Sequence, residues 1–432
     1  EKRLRGLRDC VDDLCVCASV ESPLHQAWNL LVGFAFLRPF KLASRDAVHC
    51  HAAEVDLVRR RVGPGVNIYG ARDAQQSLPF LLSQSALLAP FTNTSAPVTA
   101  FAIESSSLYS GLPVGLSGAD AAPYGALGDT LLEPLAASSA PLKPVGPSAR
   151  SEVELSRRVD SFNLGSLADW AGTATCYAAD FQTRAWSKSL KHCEATAIEA
   201  LMPHRDVWSP LQPGARGVPL TRTLPVGDAG IYDDIGHLPL LRRRVRKILM
   251  FDSAAIHNNR SGVEREDLDE MVYLRAAFGQ PNNLTNGVNP PGSPNPRMPA
   301  HFLTVFDPAD FGRIWEAIQR LHAARAPIVV RERARVVSNA HFGVVGGWEV
   351  ELVIVVLTPV DEWSAALPPA TAAYLPSYFP NYLASEVTSQ LQISAISQLT
   401  SWLTQHHALS EVRAMLDGEG DAGHGHGAAA SG

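Results

Sequence analysis

VGDAGIYDDIGHLPLLRRRVRKILMFD, residues 226–252, says more about the fold than any other stretch of this 432-residue chain. It begins at the end of a strand-like and loop-like stretch and passes through Gly227-Asp228-Ala229-Gly230, the composition of a tight turn. Residues 237–244 have the spacing of a short helix. Residues 245–254 (VRKILMFDSA) read as a buried strand with a polar end. Helix alternating with β-branched strand predicts an α/β sheet. A short acid after a strand and before small residues lets the backbone turn sharply. It leaves the carboxylate at a sheet edge, where open α/β sheets bind ligands. Two roles are open to Asp228: general base for a hydroxyl nucleophile, or an Asx turn in which the carboxylate only bonds its own backbone.

Upstream, residues 24–40 (LHQAWNLLVGFAFLRPF) have the spacing of a helix ending near Pro39, and residues 79–91 are apolar enough to be buried. Residues 104–150, rich in Ser, Gly, Ala and Pro, predict loops with short elements. Residues 166–181 (SLADWAGTATCYAADF) suit a helix packed closely on its neighbours. Downstream, Gly287 to Pro299 reads as a Pro/Gly loop, Phe311 to Ala324 as a helix, residues 327–337 and 347–357 as strands, and Leu391 to Trp402 as a closing helix. The sequence predicts one domain over 1–415 and, over 416–432, a disordered Gly/Ala/His tail.

Composition narrows the function. With 37 basic against 43 acidic residues and a net charge of -6, there is no electrostatic case for a nucleic-acid partner. The longest strongly apolar run, Leu352 to Leu357, is too short to span a bilayer, so a membrane would be met at its surface. The six cysteines (Cys10, Cys15, Cys17, Cys50, Cys176, Cys193) form no CxxC pair, which favours reduced thiols in a cytoplasmic protein. Asn93, Asn259 and Asn283 begin glycosylation sequons read as chance matches. The chain opens at Glu1 with no visible secretory signal, the opening expected of a trimmed chain or a fragment.

The order D-[GA]-G, I-Y-D-x-[IL]-G, P-L-L-R-R and then a strand ending in F-D resembles the catalytic-aspartate segment of the cytosolic phospholipase A(2)/lysophospholipase family, within the patatin-like superfamily. Asp228, Ala229, Gly230, Gly236, Pro239, Leu240, Leu241 and Arg242 fall in place; Asp234 stands where relatives carry Asn. Residues 99–113, 166–180 and 379–403 add weaker matches in the family's order. The resemblance implies an α/β, patatin-like layered sheet with helices on both faces and long loop insertions. It implies an acyl-ester hydrolase of phospholipids or lysophospholipids, cytoplasmic and peripheral at membranes, that needs no cofactor and no metal. Its Ser–Asp dyad would use Asp228 as base. Gly230 and Arg243 would bind substrate, Arg243 through a phosphate.

The family's nucleophile lies in a G-x-S-G elbow, with a Gly-rich loop supplying oxyanion donors. Both should precede the block at Trp28 to Phe40, and the 27 residues before Trp28 contain neither. The one G-x-S-G match, Gly115-Leu116-Ser117-Gly118, lies downstream of that block and follows a turn-rich stretch. The expectation is therefore an acid without its serine: a fragment of the hydrolase or, alternatively, a catalytically inactive lipid-binding pseudoenzyme of the same fold. Other ligand-type residues carry bland readings. His424 and His426 belong to a solvated tail, and His49-Cys50-His51 lacks a second cluster. His406-His407 marks a helix C-terminus, Asp252 caps the turn after its strand, and Arg242-Arg243-Arg244 is a solvated face.

Overall fold

The structure, a computed structural model, describes residues 27–38, 47–49, 68–70, 80–89, 99–117, 126–127, 130–132, 143–144, 153–154, 166–174, 203–208, 221–252, 271–280, 303–375, 379–380 and 389–417, with Asp56 and Arg60. The six cysteines, the three sequons, the 287–299 segment and the tail beyond Asp417 lie outside the described residues. The chain divides into two compact units. One takes residues 1–234, 287–298 and 341–343; the other takes residues 235–286, 299–340 and 344–432.

The first unit contains α1 (Ala27–Val32), β1 (Leu82–Ala89), β2 (Thr99–Ser106), β3 (Ser110–Leu112), β4 (Thr130–Leu132), α2 (Leu167–Ala174), β5 (His204–Trp208), β6 (Thr221–Asp228) and the single turn α3 (Gly230–Asp233). Its six-stranded sheet has the order β5-β6-β1-β2-β3-β4, and each neighbouring pair is antiparallel. Leu87, Phe101, Ile103, Leu112, Leu224 and Val226 form one apolar cluster, because residues opposite one another in a ladder share a face. The β2–β3 hairpin closes where the Ser106 hydroxyl accepts from the Leu108 and Tyr109 N–H groups, each at 3.1 Å.

The small-residue segment expected to be a closely packed helix over 166–181 forms α2 over Leu167–Ala174, and residues 175–181 lie outside the described residues. Gly172 is where α1 crosses α2: a Cβ there would fall 2.5 Å from the Cα of Asn29. That approach lets Asn29 Nδ2 donate to Asp169 Oδ1 (3.0 Å) and lets Trp28 Nε1 donate to the Gly172 carbonyl (2.9 Å). α1 continues as a π turn, Gly33–Leu37, so the 24–40 expectation holds in kind with a wider last turn.

The second unit contains α4 (Leu238–Arg242), β7 (Lys247–Asp252), α5 (Val272–Ala277), α6 (Phe311–Ala323), β8 (Ile328–Val336), β9 (Trp348–Val356), α7 (Gln390–Leu403) and α8 (Leu409–Asp417). Its sheet has the order β7-β9-β8, with β7 parallel and β8 antiparallel to β9. The last five residues of β9 are all buried, which is why that strand reads as a continuous apolar run rather than an alternating one. α6 buries Phe311, Ile314 and Ile318 at helical spacing. Ser389 and Gln392 make a reciprocal capping box that starts α7. The helix does not stop at His406-His407. It runs through a π turn, Thr404–Ala408, into α8, since Ala408 and Met415 bury further apolar surface beyond the expected end.

Both units combine helices with antiparallel or mixed sheets, so the mixed α/β class holds. The strand edge at 226–230 needs refinement: β6 extends through Gly227 and Asp228, and the turn begins only at Ala229.

Candidate functional site

Asp228 is the last residue of β6. Its Oδ1 accepts the Gly230 N–H at 2.7 Å, an Asx-type contact that starts α3. Burial pushes its pKa above the usual carboxylate range; the Gly230 hydrogen bond opposes part of that rise. Space around Gly230 is tight: a Cβ there would sit 3.1 Å from Oδ1 of both Asp228 and Asp234, so those carboxylates would have to give by a few tenths of an ångström. Asp234 is pushed up to about 6, first by loss of hydration and then by the charges of Asp228 and Asp233. Three carboxyl groups therefore crowd one turn.

A polar network fastens this turn to β1. Gln84 Nε2 donates to Asp233 Oδ2 at 2.7 Å. The Tyr232 hydroxyl donates to the Ser85 carbonyl at 3.1 Å, and its ring stacks on Phe342 with centroids 5.4 Å apart. Tyr232 is fully buried beside Asp233 and Asp228, so its phenol is held well above its ordinary pKa and stays neutral. Gln84, Tyr232 and Asp233 were invisible as a unit in the sequence, because about 150 residues separate the two strands that they join.

The sheet also brings serines to Asp228. Ser85 on β1 lies directly across from Asp228 on β6. Ser83 is two positions along on the same face, and it pairs with Ser105, which pairs with Ser110. The Ser105 and Ser110 hydroxyls are 2.9 Å apart. Sequence reasoning missed this row. Its only trace is the alternation Ser83-x-Ser85 in an apolar strand. Ser117, the sequence candidate, is in a two-residue strand, Leu116–Ser117, paired with Ala126–Leu127 in a different sheet. Among the described residues no serine hydroxyl donates to Asp228; its carboxylate accepts only from Gly230.

The structure thus joins Asp228 and Gly230. Arg243 belongs to the second unit, where it follows α4 and donates to the Pro239 carbonyl at 2.7 Å. Its neighbours in the basic run differ from one another. Arg243 and Arg244 are exposed and Arg242 is half-buried; burial lowers Arg242 to about 10 and also lowers Arg243, so the run is not a uniformly solvated face. Among the described residues no group of three or more His, Cys, Asp or Glu is arranged to hold a metal ion, and no helix is long and apolar enough to cross a membrane. No protein-family model, curated protein or solved structure matches this chain.

Proposed function

We propose that the chain belongs to a patatin-like acyl-ester hydrolase of phospholipids or lysophospholipids, with Asp228 as the general base of a Ser–Asp dyad. The observation that carries this reading is the state of Asp228. Its carboxylate is half-buried at a strand end, clamped by the Gly230 N–H, and raised in pKa toward the range in which a carboxylate accepts a proton from a hydroxyl. The ordered resemblance over 226–252 supports the same role. In this reading the substrate is met at a membrane surface, and Arg243, solvent-exposed after α4, is the residue that the resemblance assigns to a lipid phosphate.

The test is hydrolysis of a lysophospholipid by a longer form of the protein that carries the nucleophilic serine, with Asp228 intact and as Asp228→Asn. Turnover that vanishes in the variant supports the proposal; turnover that persists rejects it.

One observation favours the second reading, a lipid-binding protein without turnover: among the described residues, no serine hydroxyl is bonded to Asp228. That reading expects vesicle binding that Asp228→Asn leaves unchanged and no ester cleavage by the wild type.

A further inference from the structure

The second unit contains a pocket of about 220 Å³ at one end of its sheet. β7 and β9 run parallel, so their C-terminal ends finish side by side, with Phe251 opposite Val355. The ends of parallel strands are where α/β sheets leave room for a ligand. Phe251 and Val355 form the floor, Leu357 follows just beyond β9, and α7 supplies the roof through Ile396, Thr400 and Leu403. Phe251 is 42% exposed, so the pocket opens to solvent at its rim.

The polar groups of the lining set the chemistry of what fits. Asp252 is adjacent, but strand alternation turns its side chain to the opposite face from Phe251. Its carbonyl meets the Leu357 N–H at 3.0 Å and is therefore engaged. The Thr400 hydroxyl donates to the Ile396 carbonyl one turn back, at 2.9 Å, so its hydrogen is engaged as well. The pocket thus has apolar walls and no free donor. An anionic head group entering it would lose its water and gain no hydrogen bond, a loss that apolar contact does not offset. A hydrocarbon would lose nothing. A cavity of about 150 Å³ lined by such side chains holds benzene, and on that scale the present pocket takes about nine carbon atoms.

We infer that this pocket is a binding site for an uncharged hydrocarbon group, alkyl or aryl, of about that size. The inference stands on the second unit alone and is independent of any role for Asp228.

The experiment titrates the full 432-residue chain with toluene and, separately, with benzoate. It follows the methyl NMR signals of Leu357, Ile396 and Leu403 together with the thermal midpoint. Toluene is expected to shift those methyl signals and raise the midpoint, with a Kd near or below ~1 mM, the affinity expected when seven carbons leave water. Benzoate is expected to do neither. Thr400→Phe, which puts a ring into the pocket from the roof, should weaken toluene binding by at least about tenfold. The inference is overturned if toluene leaves the wild-type signals unmoved up to its solubility limit. It is equally overturned if benzoate binds as well as toluene, or if the shifts map to methyl groups elsewhere. Both wild-type titrations are informative even if Thr400→Phe does not fold.

Discussion

Asp228 and Ser85 stand directly opposite one another in the β6–β1 ladder, on one face of the sheet, yet the carboxylate takes its hydrogen bond from Gly230 and not from the serine. The antiparallel pairing sets the two side chains about 5 Å apart at Cβ. The turn after β6 then draws the carboxylate toward its own backbone.

Asp228→Asn separates the structural role of this residue from a chemical one. The amide oxygen can still accept the Gly230 N–H, so the turn survives and the unfolding midpoint should move little. The amide cannot take a proton. In a longer form that hydrolyses esters, turnover should fall by about three orders of magnitude or more, as is typical when one member of a catalytic unit is lost. Turnover retained within about tenfold would reject Asp228 as the base.

The 432-residue chain should take no covalent label from a fluorophosphonate probe. Ser85 is in mid-strand, 4% exposed, between Ile103 on one side and Asp228 on the other. Its carbonyl also accepts from Tyr232. A nucleophile needs N–H groups free to face the developing oxyanion, and a strand paired on both sides has few. Ser117 lies in another sheet. An adduct that maps to Ser85 or Ser117 and disappears in the corresponding alanine variant would defeat this expectation.

Asp234 gives the fold a pH dependence of definite sign. Its pKa is raised from 3.8 to about 6. Between those values the unfolded chain gives up the proton first, while the folded chain retains it. The stabilisation is therefore complete below the lower value and is lost as pH rises through the upper one. Asp234 keeps much of its surface in solvent although its neighbours strip part of its hydration, so screening keeps the effect small, below about 1 kcal/mol. The urea midpoint of the wild type should fall more between pH 4 and pH 6 than that of Asp234→Asn. Parallel profiles for the two proteins would remove the carboxyl crowding from the account.

Two glycine substitutions should move stability in opposite directions. Gly172→Ala drives a methyl against the backbone of Asn29 at the α1–α2 crossing. It should cost about 1–3 kcal/mol, the usual range for overpacking a close contact. Gly312 is an exposed helical residue of α6, and a Cβ there would meet nothing within 4 Å. Gly312→Ala should stabilise by about 0.5–1 kcal/mol, because alanine loses less backbone freedom on folding. Denaturant midpoints of the two variants against wild type settle both signs.

Local sequence placed α2, by its small residues, and α4, α6, β7, β8, β9 and the start of α7, because each carries its own pattern within a dozen or so residues. Turn composition picked out Asp228 and offered the bond to its own backbone, since the contact with Gly230 spans only two residues. Strand pairing carried no such local mark. That β6 lies beside β1, that Ser85 faces Asp228, and that Gln84 holds Asp233 are contacts across some 140 to 150 residues of chain. They arise when apolar faces are buried together and the ladder registers lock, a choice made by the whole sheet at once. The π turn at Thr404–Ala408 follows the same logic: His406-His407 read locally as an ending, and only the burial of Ala408 and Met415 carried the helix on. The sequence by itself thus determined the elements and the acid at the end of β6. Tertiary structure decided what stands across from that acid, because hydrophobic burial rewards which faces meet and is indifferent to how far apart they lie along the chain.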